Sequence, residues 1–384
     1  MSFDPHSNEW LLNKYETYKD LRSRDSAYWC EKYQVHVITR YDDVLYGLNN
    51  PKLFSSAKGN LLIESEIRHG KTLGASDNPI HSEYKNIVKN AYSKDNIKRV
   101  SDVFVEKAIE HLENKTEINI SEVTEELCAW VVSEILNFPI DKEQSKNMVL
   151  NLHRYEPNIH LFDPVLDAEA FNKDLVAEND IIYETFRKRI RPKGPGVYHE
   201  CFYNNPNHIE ITLCLLANIY SGTASLVGAL QYLTMDLYHQ KKLDTLLNDR
   251  SLISDAVNES LRFNASAGRF YRTITEQVIM HDTFLKPGDR VALCLESANR
   301  DPDKFANPDE FIITRDNAQH LSWGHGIHTC IALAISKEML NRYLEILLDK
   351  VGKYDIITEP SDLKYVMVKG GNIDIMSNII LRKS

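Results

Sequence analysis

Cysteine is scarce and scattered: Cys30, Cys128, Cys201, Cys214, Cys294 and Cys330 are the only six in 384 residues, and no two form a C-x-x-C pair. That spacing excludes a disulfide framework and a structural zinc set of paired thiolates. Most of these thiols are expected to be small buried apolar groups. The amino terminus, MSFDPHSNEW, has neither a basic start nor an apolar run, so no secretory leader or membrane anchor is expected and a cytoplasmic location is the default. Repeats, low-complexity tracts and long linkers are also missing. Positive charge is in deficit, with a formal net charge of -10. Nucleic acid and anionic membrane surfaces are therefore not expected as partners, because both are negative themselves.

What is present is the composition of an ordinary soluble enzyme, 43% hydrophobic and 26% charged. Glu9 to Arg24 reads as a helix, Tyr33 to Thr39 alternates as a strand, and Tyr41 to Leu48 is a short helix. Gly59 to Gly74 is irregular and glycine-bounded, as a loop over a site would be. From Pro79 to about Lys350 the period is helical, broken near Asn114, Pro139, Pro157, Pro192 to Pro195 and Pro206. Short β segments are expected between Arg269 and Val291 and again from Lys364 to Ile380, where Gly370-Gly371 suits a hairpin turn.

One stretch, Ile211 to Met235, carries no charged residue and is long enough to cross a membrane. Asn218, Tyr220, Ser221, Thr223, Ser225 and Gln231 are too many polar groups for a lone span. A helix through the centre of a large globule fits better.

The segment from His320 to Ala334, HLSWGHGIHTCIALA, ends a glycine-rich loop in a cysteine that opens an apolar helix. Gly324 and Gly326 permit tight turns and close approach to a flat ligand. Amide groups and the helix terminus near Cys330 favour a sulfur anion. Taken alone, this pattern is open to two other readings: a buried cysteine at a helix start, or zinc on His325, His328 and Cys330, which lacks a fourth protein ligand. Glu259 and Arg262, in E-S-L-R, share one helix face as an ion pair, an arrangement that, taken alone, is more often a solvated surface pair.

W-G-H-G-I-H-T-C-I-A resembles the heme-binding signature of the cytochrome P-450 family, with Trp323 in place of the usual phenylalanine and Ala332 in place of glycine. E-S-L-R, then A-N-R-D-P at Ala298 to Pro302 and F-A-N-P-D-E-F at Phe305 to Phe311, resemble the family's E-x-x-R helix and meander in the same order. Glu310 stands where the family often has an arginine, and Arg315 is a candidate substitute. D-S-A-Y-W and V-I-T-R-Y-D-D-V-L resemble its first strands and helix, so the likeness runs over essentially the whole chain.

The resemblance implies a single mainly α domain over residues 1–384, a cytochrome P-450 fold with a helical body and small β-sheets. It implies heme b (iron protoporphyrin IX) held by Cys330 as iron ligand, with Trp323 and Gly324 beside it. His81, Lys85, Arg272 and His328 then serve the propionates, Lys85 keeping the charge but losing the fork of an arginine. Substrate contacts are expected from Asn60 to Leu73, Glu156 to Phe171, the distal helix, Asn264 to Phe270 and Val366 to Gly371. The implied reaction inserts one oxygen atom from dioxygen into a small organic substrate, with specialised metabolites the commonest assignment. Electrons would come from a separate ferredoxin or flavodoxin and its reductase, since the length leaves no room for a fused one.

The pattern departs on the distal helix. Where the family has A-G-x-[DE]-T, this chain has Ser221, Gly222, Thr223, Ala224 and Ser225: a hydroxyl survives without its carboxylate partner. Thr223, Ser225, ordered water or a substrate group could supply the proton, or peroxide could be the oxidant. A peroxide-using relative often carries an arginine on this helix, and none is present. A non-catalytic heme-thiolate sensor or carrier is the third reading.

Overall fold

The structure is a computed structural model that describes residues 2–24, 27–64, 66–155, 181–182, 184–205, 208–280, 282–315, 319–366 and 371–383. The expected breaks at Pro157 and Pro206 lie outside these residues.

The amphipathic period of Lys94–Leu112 buries Val100, Phe104, Ala108 and Leu112 on one stripe, four residues apart as a helix requires. That stripe packs against Ile120–Leu136 and Leu333–Val351. Ile120–Leu136, with Glu122, Glu125 and Glu126 near its start, is buried along almost its whole length, the signature of a core helix. The Asn119 side chain caps its start by accepting from the Ser121 and Glu122 amides, and Asn137, left-handed at φ 48°, ends it.

The uncharged stretch lies in Glu210–His239, which is long and apolar enough to cross a membrane; 71% of its most apolar window is buried in the body of the protein. The helix is not uniform, as the sequence reading had it. It runs as α-helix through Asn218, widens into a π turn at Ile219–Thr223, and resumes as Ala224–His239. Beyond the turn, a Cβ on Gly228 would come within 2.4 Å of the Asp374 carbonyl oxygen. Only glycine allows this approach of the C-terminal segment.

A five-stranded sheet lies to one side, in the order Tyr28–Cys30, Val35–Ile38, Arg290–Cys294, Arg269–Ile274, Phe54–Ser55. Val35–Ile38 runs parallel to Arg290–Cys294, and the other pairings are antiparallel. Lys364–Val366 and Ile375–Ser377 pair antiparallel, as expected; Gly370 of the expected turn lies outside the described residues.

Behind this sheet sits an ionic cluster the sequence did not announce. Lys14, on the first helix Asn8–Arg22, reaches Glu296 at 2.6 Å and Asp374 at 2.5 Å, and Arg269 pairs with the same two carboxylates. Tyr18 adds its hydroxyl to Glu296 at 2.8 Å. All four charged side chains are buried. Burial works against the Lys14 ammonium, but Asp374 and Glu296 outweigh it and push its pKa up. Two cations matched by two anions are the condition under which such burial is tolerated.

Candidate functional site

The cysteine loop is shaped by its glycines. Gly324 and Gly326 have φ of +66° and +67°, the left-handed region that penalises other residues. A Cβ on Gly326 would also lie 2.8 Å from the Leu48 carbonyl oxygen. The loop closes where the Cys330 amide donates to the Trp323 carbonyl at 2.9 Å. The following helix begins at Leu333 rather than at Cys330, so the sulfur sits about one turn ahead of it. Burial raises the Cys330 thiol, while the Ala332 amide and the Lys85 charge pull it back toward the anion.

Beneath the loop the Glu259/Arg262 pair is no surface pair. Both side chains are almost fully buried and share two bonds of 2.8 Å. Arg315 donates to both Glu259 oxygens at 3.2 Å, filling the place that Glu310 cannot. Arg262 further donates to the carbonyls of Asn299, Pro308 and Glu310. Asn299 bonds Ser322 and the Leu321 amide, and Ser322 bonds the Leu261 carbonyl at 2.6 Å. An unbroken chain of hydrogen bonds thus runs from the ion pair to the cysteine loop.

Above the loop lies a cavity of about 1770 Å³, counting its open mouth. Cys330, Trp323, Gly324 and His328 line one side, Ser221, Gly222 and Ser225 the other, and His81, Lys85 and Arg272 also face it. The His81 and His328 rings meet edge to face with centroids 4.4 Å apart. Lys85 donates to the Ile327 carbonyl at 3.3 Å, and Arg272 to the Tyr271 carbonyl at 2.8 Å. Neither cation has an ion pair among the described residues, and the His328 Nε2 is buried with no partner there. Burial drives the Arg272 guanidinium down to about 10. It also pushes His81 down and, with the Arg272 charge added, His328 far down.

Basic groups gathered on a cavity that no described carboxylate lines, beside a thiol and a slot, fit a flat metal-bearing group with an anionic edge. Zinc fits less well: among the described residues no three His, Cys, Asp or Glu side chains converge to hold a metal. His325, at the surface, bonds Asn49 instead.

The distal wall corrects one expectation. Ser221, Gly222 and Ser225 face the cavity, but Thr223 does not line it; its hydroxyl is buried with no partner among the described residues. Ala224 is fully buried, and among the described residues no Asp or Glu lines the cavity.

Of the expected substrate contacts, Asn60, Leu73, Ala267 and Phe270 do line it. Glu156 to Phe171 lies outside the described residues, and Asn264 is turned to Asp236. Sequence reasoning did not single out Tyr92, which lines the same cavity. Its only cue was its place just after the helix that carries His81 and Lys85.

A family model described as Cytochrome P-450 matches residues 240–350. The chain is 24% identical over 376 residues to cytochrome P-450 CYP199A2 of Rhodopseudomonas palustris, covering 93% of this chain and 89% of that protein. It is 23% identical over 393 residues to the polyketide biosynthesis cytochrome P-450 PksS of Bacillus subtilis, covering 95% of each. Among solved structures, CalO2 superposes with a TM-score of 0.86 at 19% identity, covering 100% of this chain and 99% of the other.

Proposed function

The chain belongs to the cytochrome P-450 family of heme-thiolate monooxygenases, which bind heme b, and from that premise we propose that Cys330 is its iron ligand and that the cavity above it is the oxidation site. The reading rests chiefly on Cys330, the four basic side chains and the distal serines sharing one cavity. When bound there, heme supplies the activation of dioxygen for insertion of one oxygen atom into an organic substrate.

The protein's own groups divide the remaining work. Cys330 binds as the thiolate, aided by the Ala332 amide and Lys85. Arg272, Lys85, His81 and His328 offer donors to two propionates, exchanging their lack of anionic partners for charge-assisted bonds. Trp323 packs beside the ligand loop, and Gly324 gives the loop its turn. On the distal side Ser225 and Ser221 present hydroxyls that can hold water and pass a proton, with Gly222 leaving room between them. Thr223 has no direct part, because it does not line the cavity.

The substrate is a small, mainly apolar organic molecule: among the described residues the wall facing the cysteine is mainly apolar, with serines, asparagine and Tyr92 as its polar groups. A specialised metabolite is the class we favour, supported by the likeness to a protein named for polyketide biosynthesis. Electrons are delivered by a separate ferredoxin or flavodoxin and its reductase, in the cytoplasm.

The test is the reduced, carbon-monoxide-bound absorption spectrum of the protein and of Cys330→Ser. A red-shifted thiolate-type Soret band that disappears in the variant is expected. An unchanged band, or wild-type protein that takes up no heme, would sink the assignment. Turnover with reductase and NAD(P)H, compared with peroxide alone, then separates monooxygenase from peroxide-driven chemistry, and a sensor or carrier turns over with neither.

A further inference from the structure

Tyr92 ends the short 3-10 turn Lys89–Tyr92, directly after the helix Ile80–Val88 that carries His81 and Lys85. Its phenol O–H donates to Oδ1 of Asn218, 126 residues away on the long helix. The Asn218 amide group in turn donates from Nδ2 to the Cys214 carbonyl, one turn back, at 2.9 Å. With both ends committed, the amide has one orientation, acceptor toward Tyr92 and donor toward the helix. The π turn Ile219–Thr223 starts at the next residue. Side chains that bond back to the i−4 carbonyl compete with the regular ladder and bend helices, and π turns mark places where a helix departs from it. Tyr92, Asn218, Ser221, Gly222 and Ser225 all line the one cavity.

The turn has a second clamp at its far end, where the Ser266 hydroxyl donates to the Ser225 carbonyl at 2.7 Å. Between the clamps the turn packs against Ile120–Leu136 and Lys142–Tyr155; among the described residues the Ser221 and Ser225 hydroxyls have no protein partner, and residue 224 is an alanine. Burial raises the Tyr92 phenol well above its ordinary range, so it remains a donor at any pH the protein meets.

We propose that Tyr92 is a positioning residue for the distal wall: through Asn218 it fixes the widened turn that presents Ser221, Gly222 and Ser225 to the group bound over Cys330. The proposal rests on the heme-thiolate reading above. It assigns the geometry of the distal wall to a contact from outside the helix, in a chain that has Ala224 where the family's distal motif has an acid.

The experiment uses heme-loaded protein and three variants: Tyr92→Phe, which removes only the hydroxyl, Asn218→Leu, and the pair together. Heme content and the carbon-monoxide band report the cysteine side, while the ferric spin state and titration with imidazole report the distal side. Tyr92→Phe is expected to keep heme and the thiolate band but to change imidazole affinity by roughly fivefold or more, the scale of one buried hydrogen bond. The double variant should change it no further than either single one, because the two groups act through one contact.

Imidazole affinity within about twofold of wild type and an unchanged spin state in both single variants would overturn the proposal. So would loss of heme or of the thiolate band in Tyr92→Phe, which would move its role to cofactor retention. A wild-type protein without the thiolate band would defeat the heme-thiolate reading itself.

Discussion

Beneath Cys330, the Glu259 carboxylate accepts from Arg262, from Arg315 and from the Ile312 amide, and Arg262 is occupied at every corner of its guanidinium. Across the cavity, Ser221, Thr223 and Ser225 carry hydroxyls with no protein partner among the described residues, the first two on a turn that has left the regular α-helical ladder and the third just beyond it. A fully satisfied buried network has one geometry and resists change. A wall with spare hydrogen-bonding groups can take its geometry from what binds to it. The cysteine side is thus built to hold one ligand loop in one place, and the distal side to accommodate water and substrate.

The largest blow to this contrast should come from Arg262→Ala. It strands a buried carboxylate with Arg315 as its only remaining charge partner, and breaking a buried pair in this way costs about 3–5 kcal/mol. We expect little folded, heme-loaded protein, measured as thermal midpoint and heme per chain. A variant that melts and loads like wild type would show that the network under Cys330 is not what holds the loop.

Asp236 lies at the seam between the two regions. It sits on the long helix and accepts from Ser260 at 2.7 Å and from Asn264 at 2.5 Å. Burial raises its carboxyl from 3.8 to about 7, against the opposing pull of those two bonds. An acid whose folded-state pKa is raised keeps its proton while the unfolded chain releases it. Stability from this group therefore falls as pH rises from about 4 to about 7, and is level above that window. Asp236→Asn should remove that slope, so that the difference in melting temperature from wild type moves in the variant's favour across the window. Parallel pH profiles would mean that the carboxyl ionises normally.

Ser225→Ala should be the gentlest to the fold, within about 0.5 kcal/mol of wild type, since the hydroxyl has no protein partner among the described residues. Its effect belongs to turnover. If Ser225 helps to hold the proton source, the product formed per oxygen consumed should fall by about tenfold or more. Unaltered coupling would leave delivery to Ser221, to water or to substrate.

Much of the cysteine side was legible in the chain because its signals are local. Two glycines at positive φ, a cysteine just before an apolar helix and Glu259 three residues from Arg262 are short-range patterns tied to backbone geometry. The cationic set was legible only through resemblance, since His81, Lys85, Arg272 and His328 are separated by up to 247 residues. Thr223 was offered as a proton source through its place in the family's motif, and the packed helix leaves Ser221, Gly222 and Ser225 on the wall and Thr223 off it. The Lys14, Arg269, Glu296 and Asp374 cluster had no signal at all, since four unremarkable charges become a unit only when three distant segments are packed together.

The sequence by itself determined the helical body, the cysteine loop and the alanine at 224 in place of the distal motif's acid, because periodicity, backbone preference and side-chain chemistry act within a few residues. Only the tertiary structure decided that Arg315 completes the Glu259 pair, that Lys14 is buried, and that Tyr92 reaches Asn218. These are contacts between segments far apart in the chain, fixed by the shape of the packed core and by the need to match every charge and hydrogen bond shut inside it.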